Sequence, residues 1–399
     1  MSTLVRRLGL TDAVVIGLGS MIGAGVFVAL APAAAAAGSG LLLGLLIAGV
    51  VAYCNATSSA RLAARYPASG GTYVYGRERL GPFWGYLAGW AFIVGKTASC
   101  AAMAYTVGAY VWPSQAHAVA VAAVVALTAV NYLGVQKSAL VTRVIVAVVL
   151  SALTLTVVEL ATSSAASTDH WAPLEEPGGV LQAAGLLFFA FAGYARIATL
   201  GEEIRDPERT IPRAIPLALG ITLVVYAAVA LAVLSVLDPA DLATATAPLA
   251  EAAKAAGLDW LVPVVRTAAA IAALGSLLAL VLGVSRTTLA MARDHHLPHA
   301  LAAVHPRDGV PHRAELAVGA VVAVLAATVD LRAAIGFSSF GVLVYYAIAN
   351  ASAFTLKRGP IPVVGLVGCL VLAFALPLNS VLTGIAVLAV GALVYKVRT

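Results

Sequence analysis

The sequence predicts an all-α protein that crosses a membrane many times, and three observations carry that expectation. Hydrophobic residues make up 61% of the 399-residue chain and charged residues only 11%, whereas a soluble domain carries about a quarter charged residues. No core of a chain this size hides so much apolar surface, so the bilayer has to act as solvent. The apolar residues fall in stretches close to the ~20 residues a helix needs to cross the hydrocarbon, and Lys and Arg gather in alternate connections between those stretches.

Twelve candidate spans follow in order, at 11–37, 40–62, 82–111, 117–134, 138–161, 179–201, 213–237, 260–290, 313–330, 333–356, 360–376 and 379–396. The first follows Arg6 and Arg7 and is broken by glycines. At about 25 residues it is too long for a signal-peptide core, so it is expected to remain as a membrane helix. Segments 1–10, 61–79, 135–137, 202–213, 286–313, 357–358 and 396–399 hold eighteen of the twenty-four Lys and Arg residues, and the alternate loops hold only Lys254 and Arg332. The positive-inside rule then puts both termini in the cytoplasm of a multi-pass cell-membrane protein. The acidic segment 162–178, without Lys or Arg, fits an outside loop. The net charge of +6 thus reports topology, and no nucleic-acid partner is expected.

Cys54, Cys100 and Cys369 lie in apolar stretches and read as small buried hydrophobes. His295 and His299 are four apart, a spacing that can hold a metal on a helix. In a His-rich polar stretch at 291–313 the plainer reading is a cytoplasmic loop, and neither metal nor cofactor is expected.

Spans 1 and 6 are poor continuous helices. Span 1 places Gly17, Gly19, Gly23 and Gly25 within nine residues, and each glycine costs about 1 kcal/mol relative to Ala. Span 6 carries Gly193 after Phe188-Phe189-Ala190-Phe191-Ala192. The two spans are five apart, and an odd number of spans per repeat inverts the second half. Interrupted segments at matching positions of two halves point to a transporter's binding site. Where a helix unwinds at the midplane its backbone groups must face a cavity or a ligand. A resumed helix offers free N–H groups to a carboxylate and unwound carbonyls suit an ammonium, so a zwitterion satisfies both. Close helix packing also uses glycine, and it competes with a binding role at Gly17 and Gly19 above all.

On GLGSMIGAGVF (17–27), ARYPASGGTYVY (64–75), GPFWGYLAGW (81–90), FFAFAGYARIATLGEEIRDPERTIPRAI (188–215) and SRTTLAMARDHHLP (285–298), in that order, the chain resembles the amino acid–polyamine–organocation superfamily, and within it the cationic amino acid transporter-like branch. The resemblance covers residues 10–358. It implies a 5+5 inverted-repeat fold with broken helices 1 and 6: a first repeat at 11–161, a second at 179–356, and two additional helices at 360–396 after a cytoplasmic segment 1–10. It implies alternating-access transport of an amino acid, with a substrate site formed by Ser20, Met21, Ile22, Gly23, Ala24, Gly25, Phe189, Ala192 and Gly193. The amides of Ala24 and Gly25 would take the carboxylate, the carbonyls of Met21, Phe189 and Ala192 would take the amine, and Phe189 would close over the substrate as a gate.

The sequence departs from the family where many relatives couple protons. Val149 stands in place of a span 5 lysine, Ala195 in place of an acid after Gly193, and Arg61 in place of an acid ending span 2. Two cations lie within the spans instead, Lys96 and Arg196, and an ionisable residue at membrane depth is functional by default. Lys96 either selects charge or carries a coupled proton. The pair argues for a neutral or acidic amino acid, because two like charges 6 Å apart repel by roughly 3 kcal/mol at an effective dielectric of ~20. Glu202 and Glu203 at the end of span 6 are better placed to pair with Arg205 or Arg209 than to offset them. A cationic amino acid or polyamine transporter of the same fold is the alternative. Span 8 offers one central hydroxyl, Ser276, which predicts transport independent of sodium. No nucleophile–base set or P-loop is readable, so an enzyme or ATP-driven pump is not expected. An amino-acid-sensing receptor or a channel is the remaining alternative.

Overall fold

The structure is a computed structural model that describes residues 8–66, 70–133, 139–167, 177–194, 197, 204–305 and 310–398. Its elements are helices: α1 (Leu10–Met21), α2 (Ala24–Val28), α3 (Leu30–Ala37), α4 (Leu41–Arg65), α5 (Thr72–Leu80), α6 (Pro82–Val111), α7 (Ala116–Tyr132), α8 (Ala139–Thr162), α9 (Pro177–Phe191), α10 (Pro207–Leu234), α11 (Pro239–Thr244), α12 (Pro248–Ala255), α13 (Leu261–Arg293), α14 (His312–Thr328), α15 (Leu331–Leu356), α16 (Pro360–Ala375) and α17 (Leu378–Arg398). Among the described residues, β pairing amounts to a single bridge between Leu8 and Ile204. Nine helical segments there are long and apolar enough to cross a membrane, and Gly178–Tyr194 and Pro360–Ala375 are shorter apolar helices.

Local chemistry sets the boundaries. Pro82, Pro207, Pro239, Pro248 and Pro360 open their helices, where a missing N–H costs nothing and φ is already helical. Gly81, at φ 108°, makes the turn from α5 into α6, a backbone region that favours glycine. Asp330 caps α15 by accepting from the amides of Arg332 (2.9 Å) and Ala333 (3.0 Å).

Polarity is arranged for lipid. Large apolar side chains such as Leu140, Val224 and Leu393 are exposed on the outside, while some buried polar groups pair inside. Ser99 and Ser338 hydroxyls lie 2.5 Å apart, and Asn350 Nδ2 donates to Asn55 Oδ1 at 2.6 Å.

Cross-chain contacts sort the connections onto two sides. On one side the Arg205 amide donates to the Leu8 carbonyl (2.9 Å), Arg143 pairs with Asp12, Arg77 with Asp294 (2.9 Å), and Arg79 reaches the Thr355 carbonyl (2.5 Å). On the other, the Ser167 amide donates to the Ser235 carbonyl (2.8 Å), Arg332 donates to the Ala243 carbonyl, and His117 lies 2.8 Å from the Ala326 carbonyl. The basic connections therefore share a side. At the centre, α6 packs on α13 and α15, and α1–α2 lies among α8, α9, α10 and α13.

Candidate functional site

The site is built where two helices stop. At the end of α1 the Ile22 amide donates to the Leu18 carbonyl at 2.6 Å, and the Gly23 amide turns back to the Met21 carbonyl at 2.8 Å. With φ −80° and ψ 61°, Ile22 is the centre of an inverse γ-turn, which ends the helical ladder. The chain resumes as α2 at Ala24. Helix α9 ends at Phe191 and passes into a single 3₁₀ turn, Ala192–Tyr194.

Glycine lets these interruptions touch. A Cβ on Gly193 would collide with the Ser20 carbonyl and stand 2.7 Å from the Met21 nitrogen. A Cβ on Gly23 would collide with the Ser276 hydroxyl, which itself donates to the Gly19 carbonyl at 3.2 Å. Close packing extends to the other glycines of span 1. A Cβ on Gly25 would lie 2.6 Å from Ala190 Cα and Cβ, and one on Gly19 would meet Val146 at 3.1 Å. Gly25 therefore seats α2 on α9.

Tyrosines that the sequence reading passed over bridge the interruptions. The Tyr226 hydroxyl of α10 lies 2.5 Å from the Met21 carbonyl and 3.0 Å from the Ala190 carbonyl, and donates its one proton between them. Tyr346 of α15 reaches the Ala192 carbonyl at 3.4 Å and stacks on Tyr194 at 5.0 Å between centroids. A lone hydroxyl within the apolar run Leu223–Leu234 was the only signal for Tyr226, and an aromatic stripe such as Tyr345-Tyr346 reads equally well as core.

The interruptions open onto a cavity of about 140 Å³. A water needs roughly 10–15 Å³ of such space, so it holds on the order of ten waters, or a small solute. Ser20, Met21, Gly23, Ala24 and Gly25 line it from span 1, and Phe189, Ala190, Ala192 and Gly193 from span 6. Lys96 lines it from α6. Of the expected residues that are described, Ile22 alone does not face it, being the turn residue. Arg196 lies outside the described residues, as do Ala195, Glu202 and Glu203. Along α13 the lining runs from Ser276 to Ala290, about 21 Å of helix, with Arg286 and Gly70 toward the basic side. In the opposite direction it stops at Met103 and Phe189.

Lys96 is buried, 6% exposed. Its Nζ donates to the Ala192 carbonyl at 3.1 Å, and among the described residues no carboxylate comes within ion-pair distance. Among the described residues the cavity lining contains two cations, Lys96 and Arg286, and no Asp or Glu. Below its mouth a polar cluster ties α5 to the end of α13. Tyr73 donates to Asp294 Oδ2 at 2.5 Å, Arg77 donates to the same oxygen at 2.9 Å, and His296 Nδ1 lies 2.9 Å from the Tyr73 hydroxyl. With its proton on Asp294, the Tyr73 oxygen accepts from His296 Nδ1–H. Burial holds the His296 imidazole below its ordinary pKa, and burial together with Asp294 raises that of the Tyr73 phenol. Among the described residues no three His, Cys, Asp or Glu side chains gather as metal ligands, and the His295 and His299 rings stack at 5.4 Å.

The model of the amino acid permease family matches residues 12–395. The chain belongs to the amino acid permease family. An uncharacterized transporter of Mycobacterium bovis is 74% identical over 98% of this chain and 91% of its own length. The branched-chain amino acid permease of Bacillus subtilis is 26% identical over 89% of this chain and 82% of its own. The chloroplastic cationic amino acid transporter 7 of Arabidopsis thaliana is 30% identical over 88% of this chain and 65% of its own. This permease is a multi-pass membrane transporter and not an enzyme, and its family function is amino acid transport.

Proposed function

We propose that this permease moves a neutral or acidic amino acid by alternating access, through a site formed where the interruptions of spans 1 and 6 meet. The observation that carries the reading is that meeting. Gly193 abuts Ser20–Met21, Tyr226 bridges Met21 and Ala190, and one cavity collects both segments. In this reading the Ala24 and Gly25 amides receive the substrate carboxylate, Phe189 closes the site, and Lys96 discourages arginine, lysine and polyamines. The chain crosses twelve times, with 11–161 and 179–356 as inverted five-helix repeats and 360–396 as two further helices. Both termini are cytoplasmic. The shared side of the basic connections and the nine long apolar segments support this arrangement, and the relatives named for amino acids support the substrate class.

A thermal-shift screen of the purified permease against all amino acids and common amines tests the reading. A ligand at 100 times its Kd adds about 2.7 kcal/mol to apparent stability. Neutral or acidic amino acids are expected to raise the melting temperature, with arginine, lysine and diamines leaving it unchanged. Stabilisation confined to the cationic set contradicts the proposal.

A further inference from the structure

The cavity has donors to spare and few acceptors left. Two of the three carbonyls expected to hold a substrate amine are engaged by the protein itself. The Met21 carbonyl receives the Gly23 amide at 2.8 Å and the Tyr226 hydroxyl at 2.5 Å. A carbonyl oxygen has two lone pairs, so that acceptor is full. The Ala192 carbonyl receives the Lys96 ammonium at 3.1 Å and the Tyr346 hydroxyl at 3.4 Å. Among the described residues no side chain donates to the third, that of Phe189. The hydroxyls that line the cavity spend their protons on backbone or on each other: Ser20 on Ile16, Ser276 on Gly19, Thr287 on Gly283, and Ser99 with Ser338.

The donors are less committed. An ammonium has three N–H groups, and among the described residues that of Lys96 makes one contact, at 3.1 Å, and has no carboxylate within ion-pair distance. Arg286 lines the mouth and makes no hydrogen bond or ion pair among the described residues, though it lies in electrostatic range of the buried Glu315 carboxyl, which offsets part of its charge. A neutral zwitterion brings one negative and one positive group to a cavity that already holds two cations. It leaves the buried ammonium uncompensated, which is costly. A ligand with a second anionic group removes that cost.

Resting on the site proposed above, we propose that the substrate is an acidic amino acid whose side-chain carboxylate pairs with Lys96, so that Lys96 is the residue that sets specificity. The α-carboxylate keeps the amides of Ala24 and Gly25. The amine is left with the Phe189 carbonyl and contributes little. Recognition then follows the two anionic groups, and a dicarboxylate without an amine still fits. Arg286 at the mouth adds attraction for the same charge.

Equilibrium binding to the purified wild-type permease, by competition or thermal shift, tests this with glutamate, glutamine, succinate and leucine. Glutamate is expected to bind at least about tenfold more tightly than glutamine, as a lost charge partner commonly produces. Succinate is expected to bind more tightly than leucine. Lys96→Met is expected to bring glutamate and glutamine within about twofold of each other, and Arg286→Gln, at an exposed position, to narrow the gap while leaving the fold intact. The comparison on the wild-type protein requires no variant to fold. Glutamine or leucine binding as tightly as glutamate overturns the acidic assignment while leaving the site and the amino acid reading standing. Binding of arginine alone, or of no amino acid, overturns that underlying reading and this proposal with it.

Discussion

Phe189 and Tyr226 show how single residues divide the work. Phe189 is 7% exposed and lines the cavity. Tyr226 sits behind the interruptions and holds two carbonyls in place. If Phe189 excludes water from the occupied site, Phe189→Ala weakens substrate affinity about tenfold, and Phe189→Tyr or Trp keeps part of it. Binding measured on the purified variants checks this, and wild-type affinity in the alanine variant removes Phe189 from the gate. The span 1 and span 6 parts of the cavity lining and Lys96 were legible at this scale, because glycines within an apolar span and a lysine within another are exceptions to the composition around them, whereas Met103, Arg286 and the α13 face were not. Lys96 stood out for that reason. Tyr226 and Tyr346 did not, since a buried tyrosine is ordinary core until its hydroxyl is seen to reach a carbonyl.

At the scale of elements, the turn at Ile22–Gly23 falls where clustered glycines weakened the helical pattern, and the 3₁₀ turn at Ala192–Tyr194 falls on the single Gly193. What glycine spacing could not say is which neighbour each one admits. Gly25 faces Ala190 at 2.6 Å from the position of an added Cβ, so packing and binding are coupled there. Gly25→Leu abolishes transport, and it also lowers the melting temperature, because overpacking of this kind costs about 1–3 kcal/mol. The smaller Gly25→Ala does so less, and Ala190→Gly partly restores it in a double-mutant cycle. A Gly25→Ala protein with unchanged stability contradicts that packing.

The α5–α13 cluster was legible only in part: the sequence showed the charges, but Tyr73 and Asp294 are 221 residues apart. Burial depresses the His296 pKa, so the fold favours the neutral imidazole. An unfolded histidine protonates near pH 6.5. The stability His296 contributes is therefore present above about pH 6.5 and is lost as pH falls through that value toward the depressed folded one. His296→Gln should flatten the melting-temperature profile between about pH 7.5 and 5. A variant profile as steep as the wild type places the pH sensitivity elsewhere.

The whole molecule explains why helix positions were readable and the site's chemistry less so. Lipid demands long apolar helices with satisfied backbones, and that demand is written in every span. The pairing of distant spans is not, and neither is the use of Met21 and Ala192 carbonyls by the protein's own hydroxyls and ammonium. Topology has a direct check. Cys54, Cys100 and Cys369 are buried, so a single added cysteine carries the label. Lys254→Cys should react with an impermeant maleimide in intact cells, and Lys357→Cys only after permeabilisation. The reverse pattern inverts the chain in the membrane.

The central claim is that this permease carries a neutral or acidic amino acid through the site between spans 1 and 6. Uptake of labelled amino acids into proteoliposomes, with and without internal substrate and with sodium replaced by potassium, measures it most directly. The account predicts saturable uptake of a neutral or acidic amino acid that persists in potassium and is lost in Phe189→Ala at low substrate concentration. Robust uptake of arginine or lysine by the unmodified protein, or uptake untouched by that substitution, would contradict it.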